Sequence, residues 1–387
     1  MKVFSIIALF IFFVFVGYNA GAQLDPQYNT FNYFLYSLPF NTGVTMTLLY
    51  LLSFGVALVF FHLTIVFQIL MHEVGHLLGG LLTGYRFISF RVGKHTWIKK
   101  DGRLRRKQYT IGGSGGQCLM EPPDIRGKAY RFPFVLYNIG GCVMNLLLVI
   151  LLFVLRQQTS GIISTMLLWC AIHGLILFAI NLIPMKLGGI SNDGHNLWLC
   201  AVSKKARRAL WIQLKYAAMA TQGTRTRDIP EPWHTNIGDI TNALVGFLPY
   251  LHYDYLMDTE DGSAARAYAQ QILTNPGKML PVHLYIFQFE LLFHELINEN
   301  RADTVEEMYT KKLKAYLKAS KTHLFALRLQ YAYTLLYLKD EQKAQSIFET
   351  FDKTCALTPF SGEVANERFW IEKVRSCSHC KNMSIFD

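Results

Sequence analysis

Residues 44–82 read VTMTLLYLLSFGVALVFFHLTIVFQILMHEVGHLLGGLL, without one Lys, Arg or Asp. About 20 apolar residues of helix cross a hydrocarbon core. The tract is therefore long enough for one steeply tilted helix, or for a span plus a broken or re-entrant piece. Within it stand His62, His72, Glu73 and His76. Ionisable side chains in an apolar span cost several kcal/mol to bury and by default mark function. A bound divalent ion offsets that cost.

The segment His72-Glu73-Val74-Gly75-His76 suits a helix, where positions i and i+4 share a face and two imidazoles reach one metal ion. Zinc held by neutral imidazoles brings the pKa of water down to about 7. The neighbouring Glu73 is placed to take that water's proton and pass it to a leaving amine. A catalytic zinc needs a third protein ligand, which must come from another helix. Asp193, in Ser191-Asn192-Asp193-Gly194-His195, is the first candidate, and His195 competes from the same turn. An Asp-Gly pair is also common as a turn or helix cap.

Working outward, two more apolar runs occupy 134–155 and 162–183, joined by a turn at 156–161 short enough to make them antiparallel neighbours. Between the first tract and the second, residues 86–131 hold twelve basic residues against three acidic, which is +9 of the chain's +11. Short loops rich in Lys and Arg stay cytoplasmic. The next basic cluster, Lys204, Lys205, Arg207 and Arg208, follows two spans later and so lies on the same side. This topology puts the region 201–387 in the cytoplasm and the segment 23–43 outside. Residues 1–22 run from Lys2 through an apolar stretch to Ala20-Gly21-Ala22, the pattern of a signal peptide or a signal anchor.

Composition agrees with a membrane protein: charged residues are 17% and hydrophobic residues 51%, against about 25% charge in ordinary soluble domains. The basic stretch carries no recognised nucleic-acid motif and both its ends enter apolar runs, so no nucleic-acid partner is expected. The seven cysteines are odd in number and scattered, which favours thiols over disulfides. Cys377-Ser378-His379-Cys380 alone offers too few ligands for a metal site. Beyond residue 209 the pattern becomes amphipathic helix. Ala265, Val305 and Ala344 recur at steps of 40 and 39 residues, each with a companion such as Ala269, Tyr309 or Phe348. That period lies in the helical-repeat range and suggests a tetratricopeptide-like or related α-solenoid module, with an irregular helical bundle as the alternative.

Several elements then occur in a recognisable order: His72 to His76 in an apolar tract, Gly84-Tyr85-Arg86-Phe87-Ile88-Ser89-Phe90, the Gly-rich 112–116, Gly140-Gly141 followed by Asn145, and Asn181-x-x-Pro184 leading to Asp193-Gly194. Over residues 50–200 the chain resembles the site-2 protease family of intramembrane zinc metalloproteases. The resemblance implies one zinc ion held by His72, His76 and Asp193, with Glu73 as catalytic base. It also implies that Asn145 and Asn181 assist the transition-state oxyanion or hold the substrate strand. The matching basic segment, 85–132, is expected to form a membrane-associated β-hairpin that holds an unwound substrate by strand pairing. The step from Pro184 to Asp193 is nine residues, about one helical turn longer than is common in the family.

The expected fold is thus mainly α: a polytopic membrane core at 44–200 with a small β-hairpin, followed by a cytoplasmic, tetratricopeptide-like domain at 201–387. The expected activity is zinc-dependent endoproteolysis within or near a transmembrane segment of a membrane protein substrate. The helical module is expected to bind a substrate or a regulatory protein. The competing readings are a catalytically silent membrane scaffold and an ion-handling membrane protein.

Overall fold

The computed structural model describes residues 42–110, 114–125, 131–187, 190–235 and 237–377, with the backbone alone for 42–54, 57, 162, 187, 190 and 377. The expected signal segment, most of the expected outside segment and Cys380 lie outside the described residues.

The longest apolar tract forms one unbroken helix, α1 (Thr42–Leu82), of 41 residues. At 1.5 Å per residue it extends roughly 60 Å. It contains no proline, so the backbone ladder has no reason to break. The second and third apolar runs form α2 (Phe134–Arg156) and α3 (Gly161–Leu182). All three helices are long and apolar enough to cross a membrane. Their outer faces display large apolar side chains, such as Val59 at 61% exposure and Leu147 at 57%. A contiguous apolar surface of this kind is unfavourable in water and suited to lipid.

Two compact units divide the chain, one comprising residues up to Gly75 with Gly141–Leu182, the other His76–Gly140 with Ile183–Asp387. The first unit is held by polar bonds between apolar helices. Thr64 Oγ1 lies 2.8 Å from His173 Nδ1, and the Gln68 amide donates to the Cys170 carbonyl at 2.8 Å. Gly174 makes the second bond possible, since a Cβ there would stand 2.7 Å from Gln68 Nε2. Small residues at helix contacts and interhelical hydrogen bonds are the usual adhesives where lipid removes the hydrophobic drive.

The second unit contains four antiparallel strands instead of a single hairpin: β1 (Arg86–Val92), β2 (His95–Lys100), β3 (Arg103–Gln108) and β4 (Gly116–Glu121), in the order β3-β2-β1-β4. The β2–β3 turn is Asp101-Gly102, both with positive φ, 52° and 74°, the conformation that a two-residue hairpin turn requires. β3 is exposed nearly throughout and carries Arg103, Arg105, Arg106 and Lys107. Charge on an edge strand discourages pairing with other chains. β4 is the opposite edge, and it buries Cys118, Leu119 and Met120.

These residues share a core with Leu199 of α4 (Asp193–Val202), Leu210 and Ile212 of α5 (Lys204–Gln222), and, past the short α6 (Glu231–His234), Leu248 of α7 (Phe247–Asp258). The cluster that holds the sheet thus continues past residue 200. Lys215 on α5 is buried and reaches Glu121 at 2.9 Å and Asp124.

A second core gathers α8 (Gly262–Thr274), α9 (Pro281–Ile297), α10 (Ala302–Met308), α11 (Lys311–Ala319), α12 (Leu324–Ala332), α13 (Glu341–Leu357) and α14 (Ser361–Cys377). Ala265, Ala269, Val305, Ala344 and Phe348 all lie in it. The helices at the middle step are short, 7 and 9 residues in α10 and α11, against 17 in α9 and α13. Within this core Arg328 bonds two buried carboxylates, Glu290 and Glu367, at 2.7 Å each.

A group of acids near α14 makes this region sensitive to pH. Asp254 accepts hydrogen bonds from Tyr216 Oη at 3.2 Å and Asn366 Nδ2 at 2.9 Å, and also from Thr226. Burial pushes its pKa up from 3.8 to about 7, and burial with the charges of Glu367 and Asp254 pushes Glu363 from 4.5 to about 8. The folded state therefore binds more protons than the unfolded state between those limits, and stability falls as pH rises through them. The Tm of the chain is expected to decline from about pH 5 to about pH 8. Replacing Asp254→Asn should flatten part of that decline in the same thermal measurement.

Candidate metal centre

Every fourth residue of α1 from Thr64 to His76 is polar: Thr64, Gln68, His72, His76. At 3.6 residues per turn these positions form one stripe along the helix. The structure buries all four, together with Glu73; His72, Glu73 and His76 are each only 7% exposed.

The imidazole of His72 meets α2 where α2 has no side chain. A Cβ on Gly141 would lie 2.5–2.7 Å from the ring's Cε1, Nε2 and Cδ2. On its other side, His72 Nδ1 is 2.7 Å from Asn145 Oδ1. His76 is held in a similar manner, its Nδ1 2.7 Å from the backbone carbonyl of Tyr137. A carbonyl only accepts, so Nδ1 of His76 carries a proton and Nε2 is the nitrogen that faces Asp193. Tyr137 is itself fixed to the sheet, its hydroxyl donating to the Cys118 carbonyl of β4 at 2.8 Å and its ring stacked on Tyr85 at 4.8 Å. Burial above all, then the nearby Cys200, raises the Tyr85 phenol pKa, keeping it neutral.

Asp193 opens α4, and the residue before it determines where it points. Asn192 Oδ1 accepts from the amides of His195 at 2.9 Å and Met185 at 3.1 Å, while Nδ2 donates to the Ile183 carbonyl at 2.6 Å. Between Met185 and Asn192 the chain makes a minimal ladder, β5 (Lys186–Leu187) against β6 (Ile190–Ser191). The long step from Pro184 to Asp193 is thereby looped out, and Asn192 returns to within bonding distance of residues 183 and 185.

Asp193 Oδ2 lies 3.3 Å from His76 Nε2. One ligand atom from each of His72, His76 and Asp193 falls within 4.8 Å of the others. Two ligand atoms about 2.0–2.2 Å from a tetrahedral ion lie roughly 3.3–3.6 Å apart; the His76–Asp193 pair matches that spacing, and the three residues form a group that could hold a metal ion. Two imidazoles and a carboxylate are donors of the kind that zinc accepts.

His195 points elsewhere: its Nδ1 is 2.9 Å from Ser191 Oγ and its ring stacks with Trp198 at 6.0 Å. Burial first, and the charge of Lys186 second, lower its pKa. Asn181 donates to the Leu177 carbonyl of its own helix at 3.0 Å. Asn145, by contrast, touches the candidate ligand His72. Sequence reasoning passed over Gln68 and Tyr137, and it named Gly141 and Asn192 without giving either a structural role. Gln68 was legible, since a lone amide one turn before His72 in an apolar tract demands a partner. Tyr137 acts through its carbonyl, which no side-chain pattern reveals.

No family model, no curated protein and no solved structure matches the chain.

Metal analysis of the purified protein after zinc loading is expected to give one zinc per chain. Asp193→Ala and His72→Ala should each lose it, whereas His195→Ala should retain it. Gly141→Val should also lose it, because the added side chain occupies the position of the His72 ring.

Proposed function

We propose that this chain is an intramembrane zinc metalloendopeptidase that cleaves a peptide bond within or near a transmembrane segment of another membrane protein. The observation that carries the reading is the grouping of His72, His76 and Asp193 as possible metal ligands, with Glu73 buried next to His72 in the chain. Two histidines with one carboxylate are among the ligand combinations of hydrolytic zinc.

His72, His76 and Asp193 would hold the zinc, which when bound would supply a water of lowered pKa and polarisation of a peptide carbonyl. The chain's own residues supply the rest. Glu73 takes the proton from the attacking water and passes it to the departing amine nitrogen, a general base that becomes a general acid. The Tyr137 carbonyl and Asn145 engage Nδ1 of the two imidazoles and so orient the rings. The apolar surroundings of Glu73 limit bulk water, so that proton transfer stays within the site.

A substrate helix must expose its backbone before water can attack, and its freed N–H and C=O groups then need partners. Edge strand β4 is the proposed partner. It touches the motif helix directly, since a Cβ on Gly80 would collide with Met120 Sδ. The density of Lys and Arg between α1 and α2 supports a cytoplasmic position for the sheet and for the C-terminal helices. Those helices offer a surface for a regulator or for the soluble part of the substrate.

Glu73→Gln keeps the size and the metal ligands but removes the base. Cleavage of a co-expressed membrane substrate should fall by about 100-fold or more, with bound zinc unchanged. Undiminished cleavage by Glu73→Gln overturns the assignment. Zinc-independent flux across proteoliposomes without proteolysis would favour an ion-handling protein.

A further inference from the structure

We infer that Gln68 is a positioning residue for the metal ligand His72, acting through Asn145, and that Asn145 serves the ligand and not the reacting carbonyl. The inference rests on the proposed metal site.

Two backbone carbonyls fix the direction of every bond in the chain. The Cys170 carbonyl can only accept, so the end of the Gln68 amide that faces it at 2.8 Å is Nε2. Gln68 Oε1 is thereby turned toward Asn145, whose Nδ2 lies 2.9 Å away. The same Nδ2 faces the backbone carbonyl of Gln68 at 3.1 Å, a second group that only accepts. Both amide protons of Asn145 are therefore committed, and Oδ1 is the end that faces His72 Nδ1 at 2.7 Å. An acceptor opposite Nδ1 requires the Nδ1–H tautomer, which places the lone pair on Nε2.

The relay is closed to solvent and to substrate. Gln68 and Asn145 are both 0% exposed. An asparagine with no spare donor and no exposure has nothing to offer an oxyanion. Its remaining role is to orient a ligand and raise its basicity, as partners of metal-bound histidines do. Gly174 and Gly141 leave room for the two ends of the relay, the first beside Gln68 Nε2 and the second against the His72 ring. The relay thus carries information from the Cys170 carbonyl of α3 through α1 and α2 to one nitrogen of His72.

Partners of this kind alter metal affinity by about 10- to 100-fold when removed. The test is zinc affinity of the full-length protein in detergent, by chelator competition, with the visible spectrum of the cobalt-loaded site as the second readout. Gln68→Met is expected to weaken zinc about tenfold and to shift the cobalt bands. Gln68→Glu, neutral in an apolar setting, can still donate to Cys170 and accept from Asn145, and should keep affinity near that of the unmodified chain. The double variant Gln68→Met with Asn145→Leu should bind zinc no more weakly than Asn145→Leu alone, because one residue acts through the other.

Wild-type affinity and spectrum in Gln68→Met, or losses that multiply in the double variant, overturn the relay while leaving the metal site intact. An unmodified chain that takes up no zinc overturns the metal site itself, and the relay with it.

Discussion

A polar side chain placed on an apolar helix must find its hydrogen bonds inside the protein, because lipid offers none. Most of the arrangement described above is an answer to that requirement. Thr64 finds His173, Gln68 finds Cys170 and Asn145, and His72 and His76 each find an oxygen for Nδ1. Each of these bonds also aligns one helix against another. The same two histidines, with Asp193, form the group that could hold a metal ion. Packing and chemistry are therefore set by the same few polar groups.

The glycines of the helices serve this end. Gly141 admits the His72 ring, Gly174 admits the Gln68 amide, and Gly79 and Gly80 admit the Leu136 carbonyl and Met120. A methyl group at any of these places would force a helix or a ring to move. Such contacts bring little apolar area together, but they allow the polar groups to reach bonding distance. The sheet joins the arrangement through Tyr137, which spends its hydroxyl on β4 and its carbonyl on His76.

Much of this was legible beforehand, for identifiable reasons. Ionisable residues in an uncharged tract have few bland explanations, so His72, Glu73 and His76 stood out. The apolar lengths gave α1, α2 and α3, and a tract without proline left no place for α1 to break. Asp193 was readable as a ligand only beside His195, since both lie in one turn; their separation depends on Asn192 and Ser191, which are short-range contacts that spacing does not encode. The sheet was underestimated because β3 reads as a basic loop. Its Asp101-Gly102 turn was the signal to weigh. Regular spacing of Ala265, Val305 and Ala344 located a shared core, yet spacing between buried residues does not fix helix length.

The clamp made by Asn192 has a bearing on how chains of this kind can vary. It joins both ends of the β5–β6 ladder at its base, touching Ile183, Met185 and His195 at once. The start of α4 is thus fixed by the contacts of Asn192 with Ile183, Met185 and His195, not by the number of residues between them. The chain length from Pro184 to Asp193 therefore does not by itself decide where Asp193 stands.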